Sequence, residues 1–153
     1  MRVLVDTSIW SMALRRGGSS QSAEVDELRR LIDAHFVEII GPIRQELLSG
    51  VRDQTQFARL EADLAAFPDL PLLTEDYVTA ANYFILCSSR GIQGSNTDFL
   101  ICAIAVRQDL AIFTTDRDFR QFSECLPIVL HGTAPNTGST PAHHSRSSGG
   151  SKV

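Results

Sequence analysis

Two acidic side chains directly follow apolar segments that are typical of buried strands. Asp6 ends the run Val3 to Val5, and Asp116 stands just beyond the run 111–114. In open α/β sheets, ligands bind at the carboxyl ends of the strands. Either carboxylate could instead cap the helix that follows it, so position alone leaves both interpretations open.

Two further acids lie on predicted helices beside apolar residues. Asp98 opens the most hydrophobic helix of the chain, where it could also satisfy the helix dipole. Glu46 lies about 60° round its helix from Ile43, at the edge of an apolar face where a carboxylate needs a partner. Because strand ends and helix starts on one rim of a parallel sheet converge, we expect one site shared by Asp6, Glu46, Asp98 and Asp116.

Four carboxylates in one site need a counter-charge. Two of them about 5 Å apart repel by roughly 3 kcal/mol at an effective dielectric constant of about 20, so they must partly protonate or bind a cation. Oxygen ligands without His or Cys favour a hard ion such as Mg²⁺ or Mn²⁺. Such an ion can activate a water and offset charge on a phosphoryl oxygen, which predicts metal-dependent phosphodiester hydrolysis.

The composition restricts how such a site can work. Of 153 residues, Arg146 and Lys152 are the only charged ones beyond His131, which leaves the body with 12 basic and 18 acidic side chains. Lys152 is the only lysine, so a GxxxxGK[ST] phosphate loop and any amine-dependent mechanism in the body are excluded. A broadly basic nucleic-acid surface is excluded too, so any such contacts must be local and made by arginine.

The cysteines and the apolar segments indicate the cellular compartment of the protein. Cys87, Cys102 and Cys125 are odd in number and lack CxxC spacing, which argues against a disulfide framework and a zinc site. The first apolar run is too short for a signal peptide, and no stretch approaches the roughly 18 apolar residues of a membrane span. We therefore expect a cytoplasmic, reduced protein without membrane association.

The apolar patterns predict an α/β fold that positions these residues. Four short strands, at 3–5, 36–40, 111–114 and 127–130, alternate with helices, which indicates a parallel sheet covered by helices on both faces. The predicted helices are 7–14, one behind the N-cap Ser22, 42–50, 54–67, one from the N-cap Thr74 to a stop at Gly91, 97–109 and 117–124.

The chain divides into a body and a tail. Residues 1–131 contain all the apolar periodicity and form the predicted nuclease domain. Residues 132–153 consist largely of Gly, Ser, Thr, Pro and His without any such periodicity. This composition predicts a low-complexity, disordered tail.

Four segments together resemble a PIN-domain ribonuclease, and most closely the VapC toxins of bacterial toxin–antitoxin pairs. The resemblance spans residues 1–131 and implies a PIN-like three-layer α/β/α sandwich with a short central parallel sheet of four to five strands. The segments are Val5-Asp6-Thr7-Ser8, Glu46 within 43–48, 96–103 around Asp98, and Thr114-Thr115-Asp116-Arg117-Asp118-Phe119.

The resemblance also implies an activity, a cofactor and partners. The family's acidic quartet corresponds to the four carboxylates above, with Asp118 as an accessory fifth acid. The hydroxyls of Thr7, Ser8 and Thr115 occupy positions where the family holds water or carboxylate oxygens, although ordinary capping would also explain them. The implied activity is Mg²⁺- or Mn²⁺-dependent RNA cleavage by a homodimeric toxin, which a VapB-like antitoxin inhibits.

We expect the metal between Asp6, Asp98 and Asp116, with Glu46 completing the ligand set directly or through water. A single-stranded loop of a structured RNA such as tRNA or rRNA is a better substrate than duplex, because its phosphates and bases are accessible. Backbone contacts are predicted from arginines near the rim, although a solvated role remains open for each of them: Arg15, Arg16, Arg44 and Arg52.

Other functions fit the sequence less well. A phosphoacceptor receiver domain relies on a lysine near its aspartate, and the body has none. A haloacid-type phosphatase requires DxD after the first strand, whereas Asp6 is followed by Thr7 and Ser8. The remaining alternative is a catalytically inactive PIN-like module that binds RNA or protein, since a fold alone does not give activity.

Overall fold

The computed structural model describes residues 1–15 and 22–132, and the structural statements below concern those residues. Arg16 and the predicted tail from residue 133 onward lie outside them, so the expectations for these parts stay predictions.

A four-stranded parallel sheet forms the centre of the fold. Its strands are β1 (Val3–Val5), β2 (Val37–Glu38), β3 (Ala111–Phe113) and β4 (Val129–Leu130), in the order β2-β1-β3-β4. All three pairings are parallel. The two central strands β1 and β3 are buried along their whole length, as the uninterrupted apolar runs predict for a sheet covered on both faces.

The outer strands are shorter than predicted. β2 has two residues instead of the five at 36–40, because Ile39 pairs separately with Asp69 in an isolated parallel bridge. Both Ile39 and Ile40 are fully buried. Their apolar character therefore reflects burial in the core more than pairing along one strand.

Seven helices among the described residues connect and flank the strands. They are α1 (Thr7–Leu14), α2 (Ala23–Asp33), α3 (Gly41–Ser49), α4 (Gln54–Leu64), α5 (Thr74–Ser89), α6 (Asn96–Arg107) and α7 (Asp118–Cys125). Ser22 caps α2 as predicted, accepting a hydrogen bond from the N–H of Val25, and Pro42 lies in the first turn of α3. Thr74 was wrongly assigned as an N-cap, because it is already the first helical residue of α5.

Helix α6 is the central helix of the core. Its residues Phe99–Ala105 are all buried, which matches the apolar run that the sequence places there. The loop before α6 passes so close to the core that a Cβ on Gly94 would lie 2.5 Å from the ring of Phe122. Glycine at this position lets the loop approach the core and fixes where α6, and with it Asp98, begins.

The cysteines and the lengths of the helices complete the description of the fold. Cys87, Cys102 and Cys125 are all free. Within residues 1–15 and 22–132, none of the helices combines the length and apolar character that crossing a membrane would require.

Candidate active site

Two hydroxyl groups hold Asp6 at the carboxyl end of β1. Its Oδ2 accepts hydrogen bonds from Thr114 Oγ1 at 2.8 Å and from Ser8 Oγ at 3.0 Å. Asp6 occupies the N-cap position of α1, yet its side chain makes no capping hydrogen bond. The capping interpretation of Asp6 is therefore wrong, and its 7% exposed carboxylate belongs to a network between β1, α1 and the end of β3.

The same network positions the segment after β3. Thr114 Oγ1 accepts from the N–H of Asp116 at 3.0 Å, and Ser8 Oγ accepts from the N–H of Thr115 at 3.1 Å. Asp116 Oδ1 in turn accepts from the N–H of Asp118 at 2.9 Å. The hydroxyl that reaches Asp6 is thus that of Thr114, whereas Thr115 contributes its backbone N–H.

Asp98 combines a structural and an electrostatic role. Its Oδ2 accepts from the N–H of Ser95 at 2.9 Å, while Ser95 Oγ accepts from the N–H of Asp98 at 3.1 Å, which is a capping box at the start of α6. Burial raises the pKa of Asp98, the Ser95 hydrogen bonds lower it, and the charges on Asp116 and Asp6 raise it further. The site therefore disfavours an additional uncompensated negative charge at Asp98.

Glu46 approaches the site from the exposed side. It lies in α3, and its Oε2 accepts a hydrogen bond of 3.1 Å from Thr7 Oγ1 in the first turn of α1. A carboxylate beside an apolar helix face needs a polar partner, and α1 supplies that partner through the hydroxyl of Thr7. This contact sets Glu46 beside the residues that follow β1.

All four predicted carboxylates line one cavity of about 380 Å³, and no basic side chain among the described residues belongs to its lining. Asp118 does not line it, and neither does Thr115. A larger groove of about 470 Å³ adjoins it and shares Glu46. The carboxylate cavity is lined by Asp6, Thr7, Ser8, Glu46, Ser95, Thr97, Asp98, Ile101 and Asp116.

The donor chemistry of the carboxylate cavity fits a divalent cation, whereas the orientation of the donors is not preformed. In the part of the chain that the structure describes, no three His, Cys, Asp or Glu side chains are gathered closely enough to hold a metal ion. Each carboxylate is instead turned toward a local hydroxyl or N–H donor. Like charges without a cation between them repel, which favours keeping the carboxylates apart. Metal binding would require them to move closer together.

The predicted arginine contacts are only partly near this cavity. Arg44 forms an ion pair of 2.9 Å with Asp69 and donates to the carbonyls of Leu64 and Phe67. Its role is to cap the end of α4, and the expectation that it contacts RNA is withdrawn. Arg15 lines the larger groove beside Glu46, and Arg52 is exposed without lining either cavity.

Two supporting residues escaped the sequence prediction. Thr114 was counted as the last residue of a strand, although the spacing Thr114-x-Asp116 places a hydroxyl two residues before the acid, where it can accept the N–H of that acid. Ser95 was counted as loop. The pattern Ser95-x-x-Asp98 is a recognisable capping box and could have identified Ser95 from the sequence.

Comparisons with known proteins agree with this fold. The family model described as "PIN domain" matches residues 3–124, and no match was found among curated proteins. FitAcB from Neisseria gonorrhoeae superposes with a TM-score of 0.68 at 21% identity, covering 84% of this chain and 95% of that chain.

Two further solved structures share the fold. VapBC2 from Rickettsia felis, bound to a DNA fragment from its promoter, gives a TM-score of 0.69 at 16% identity, covering 85% of this chain and 97% of that one. DNA-bound VapBC from Salmonella typhimurium gives 0.67 at 16% identity over 85% and 96%. At these identities the likeness concerns the fold, whereas the family model covers most of the body. The chain belongs to the PIN domain family.

Proposed function

We propose that this chain is a metal-dependent endoribonuclease whose active site is the carboxylate cavity. PIN domains are generally nucleases. The observation that carries the proposal is the convergence of Asp6, Glu46, Asp98 and Asp116 on one cavity, to whose lining the part of the chain that the structure describes adds no basic side chain. Such a set of oxygen donors calls for a divalent cation, and Mg²⁺ or Mn²⁺ suits hard oxygen ligands.

Each carboxylate has a distinct role in the proposed reaction. Asp6, Asp98 and Asp116 hold the cation, and Glu46 completes the set directly or through water. When bound, the cation supplies charge neutralisation, lowers the pKa of a water and offsets charge on the phosphoryl oxygens. Ser8 and Thr114 keep Asp6 in place, and Thr7 keeps Glu46 in place.

Glu46 is suited to accept a proton, because it is exposed and one of its oxygens is anchored to Thr7. In the proposed hydrolysis the oxygen of a water forms a bond to phosphorus in line with the leaving ribose oxygen, whose bond breaks. The water gives one proton to Glu46, and the leaving ribose oxygen takes up a proton from a solvent water, so that the products are a phosphate monoester and an alcohol. We propose a single-stranded loop of tRNA or rRNA as the substrate.

We further propose that the chain is a VapC-like toxin that a VapB-like antitoxin inhibits. The similar solved structures named VapBC and FitAcB support an antitoxin partner. The larger groove is a suitable binding site for the antitoxin, because the apolar groove residues Leu14, Val51 and Leu60 lie beside Arg15 and Arg59. Since this groove shares Glu46 with the carboxylate cavity, a segment bound in it would cover the exposed side of the site.

A titration of Mn²⁺ into the full chain, followed by calorimetry, tests the proposed active site. We expect the wild-type chain to bind Mn²⁺ and Asp98→Asn to bind it at least about tenfold more weakly, because loss of a ligand exceeds the usual effect of losing a supporting residue. The control Asp33→Asn removes an exposed acid at the end of α2 and should leave binding unchanged.

The same titration separates this function from a catalytically inactive PIN-like module. An inactive module that binds RNA or protein has no need of the cation. Absence of Mn²⁺ binding by the wild-type chain, or equal binding by wild type and Asp98→Asn, would contradict the nuclease and favour the module.

A further inference from the structure

A second cavity, of about 320 Å³, lies at the carboxyl ends of β3 and β4, and we call it the arginine cavity. Arg117 and Arg120 line it from the start of α7, and His131 lines it from the end of β4. We propose that the arginine cavity binds the RNA phosphate next to the one that is cleaved. This inference rests on the proposed nuclease function and extends it to the binding of the substrate.

The arginine cavity is joined to the carboxylate cavity through a shared residue. Asp116 belongs to the lining of both, and Thr114 and Thr115 of the arginine cavity belong to the hydrogen-bond network that holds Asp6. A polynucleotide whose scissile phosphate lies in the carboxylate cavity therefore has its neighbouring nucleotide within reach of the arginine cavity.

The two arginines are available to an anionic ligand. Among the described residues, neither guanidinium forms a hydrogen bond or an ion pair with a protein group, whereas Arg30, Arg44 and Arg107 are each paired with an acid. Arg117 and Arg120 are three residues apart, and side chains at that spacing lie on one helix face. Two planar guanidiniums on one face suit the bidentate recognition of phosphate.

The side chain of His131 lines one side of the arginine cavity and is held in place by two contacts. Its Nε2 lies 2.8 Å from Glu27 Oε1, and its ring meets that of Phe113 edge to face with centroids 5.1 Å apart. Hydrogen bonds from Arg30 and from His131 lower the pKa of Glu27 to about 2, so this anchor stays ionised at neutral pH. Because His131 is already paired with this ionised carboxylate, we assign phosphate binding to the two arginines.

The charges of the two cavities complement each other along a polyanion. Four acids and no base line the carboxylate cavity. The arginine cavity has two guanidiniums against Glu24 and the shared Asp116. Once a cation compensates Asp116 and its neighbours, the arginine cavity retains a positive balance. The sequence prediction had placed the backbone contacts at Arg15, Arg16, Arg44 and Arg52. Of these, Arg15, Arg44 and Arg52 do not line this cavity, and Arg16 lies outside the described residues.

The test measures RNA binding by fluorescence anisotropy in a chain that carries Asp98→Asn to suppress cleavage, with Mg²⁺ present. The probe is a labelled single-stranded RNA oligonucleotide. Adding Arg117→Gln and Arg120→Gln should raise its Kd about tenfold or more. The slope of log affinity against log salt concentration should also fall by about 0.7, since the two arginines together bind one phosphate and each phosphate contact on a single strand contributes about 0.7.

The matched control removes the same charge elsewhere. Arg29 and Arg90 are exposed and line neither cavity, so Arg29→Gln with Arg90→Gln should leave both the Kd and the salt slope near those of the parent. Equal losses in the two double variants would mean that only bulk charge matters and would overturn the proposal. So would unchanged binding by the Arg117 and Arg120 double variant.

A cleavage assay of the Arg117 and Arg120 double variant with Asp98 unchanged distinguishes this inference from the proposed function. If the Arg117 and Arg120 double variant cuts RNA with an unchanged KM while Asp98→Asn abolishes cutting, the arginine cavity is refuted and the nuclease stands. If wild type cuts no RNA, the nuclease fails. A raised KM with a nearly unchanged kcat supports the arginine cavity.

Discussion

The carboxylate of Asp6 depends for its position on two hydroxyl groups that come from different elements. Thr114 at the end of β3 and Ser8 in the first turn of α1 both donate to Oδ2. Thr114 also accepts the N–H of Asp116. One hydroxyl therefore connects the carboxylate of Asp6 with the backbone of Asp116, and its loss should affect both residues.

Thr114→Val tests this role, since valine keeps the shape and removes the hydrogen bonds. We expect RNA cleavage to fall about 10- to 100-fold, the usual cost of losing a group that orients a metal ligand. Mn²⁺ affinity should fall with it, whereas a merely structural role would change only the melting temperature. Thr55→Val, at an exposed hydroxyl on α4, is the control. Unchanged cleavage and Mn²⁺ affinity in Thr114→Val would contradict the role.

Among individual residues, the sequence predicts the four acids of the site better than it predicts which groups form hydrogen bonds and ion pairs with one another. The four carboxylates stand out because each ends a strand or opens or edges an apolar helix. Which hydroxyl reaches Asp6 depends on how the chain turns after β3, and this decides between Thr114 and Thr115. Arg44 was misassigned for a similar reason, because its partner Asp69 is 25 residues away in the sequence.

Among the helices, α5 and α6 make the largest helix–helix contact. An ion pair between Asp76 of α5 and Arg107 of α6 links them. Arg107 Nε donates to Asp76 Oδ1 at 2.6 Å, and the N–H of Leu73 donates to Oδ2 at 2.8 Å. Asp76 is only 1% exposed. Burial raises its pKa, but the hydrogen bonds and the charge of Arg107 outweigh burial and hold the pKa of Asp76 below its ordinary value.

The lowered pKa of Asp76 predicts an acid-sensitive contribution to stability. The ion pair stabilises the fold above the ordinary carboxyl pKa of about 3.9, and this contribution is lost as the pH falls through the lower pKa of the folded state. Asp76→Asn should lower the free energy of unfolding at pH 7, since it removes the buried negative charge that pairs with Arg107.

Urea unfolding of wild type and Asp76→Asn across the acidic range measures this effect. The difference between them should shrink as the pH falls, because protonation of Asp76 in the wild type has the same effect as the substitution. A difference that stays constant from neutral pH to about pH 2 would contradict the assignment.

The sequence predicts most element positions and misplaces some ends. The helices at 7–14 and after Ser22 and Pro42 follow from apolar periodicity and capping residues. The predicted helix 54–67 ends instead at Leu64, because Arg44 binds the carbonyls of Leu64 and Phe67 that the end of the helix leaves unpaired. A tertiary contact of this kind leaves no local pattern.

Part of the excess of acidic over basic residues in the body of the molecule is concentrated at one site. The body has 18 acids against 12 bases, and four of the acids converge on one cavity. A divalent cation there would compensate part of this excess. The acidic composition is therefore compatible with a polyanionic substrate, provided that the substrate meets arginines beside the carboxylate cavity.

An exposed apolar face on α5 suits a second copy of the chain, and we propose that it forms the homodimer. Val78 and Ile85 are 57% and 66% exposed, and their spacing of seven residues places them on one side of the helix. Tyr77 and Phe84 extend the same region and are also exposed. Apolar side chains grouped in this way are typical of an interface.

Light scattering coupled to size-exclusion chromatography tests this interface. Wild type should elute at twice the chain mass of 16.8 kDa, and Ile85→Asp should elute at the mass of one chain with its fold retained. Val129→Asp, at an exposed apolar residue on β4, is the control and should remain dimeric. A monomeric wild type, or an unchanged mass for Ile85→Asp, would contradict the interface.

The most direct test of the proposed enzyme is a cleavage assay on a loop-containing RNA with the purified full chain. Wild type and the control Asp33→Asn should cut the RNA in Mg²⁺ or Mn²⁺ and stop when a chelator is added. Asp98→Asn should retain its fold and lose more than about 100-fold of the rate. Cleavage that survives the chelator, or that Asp98→Asn leaves unchanged, would contradict a metal-dependent nuclease in the carboxylate cavity.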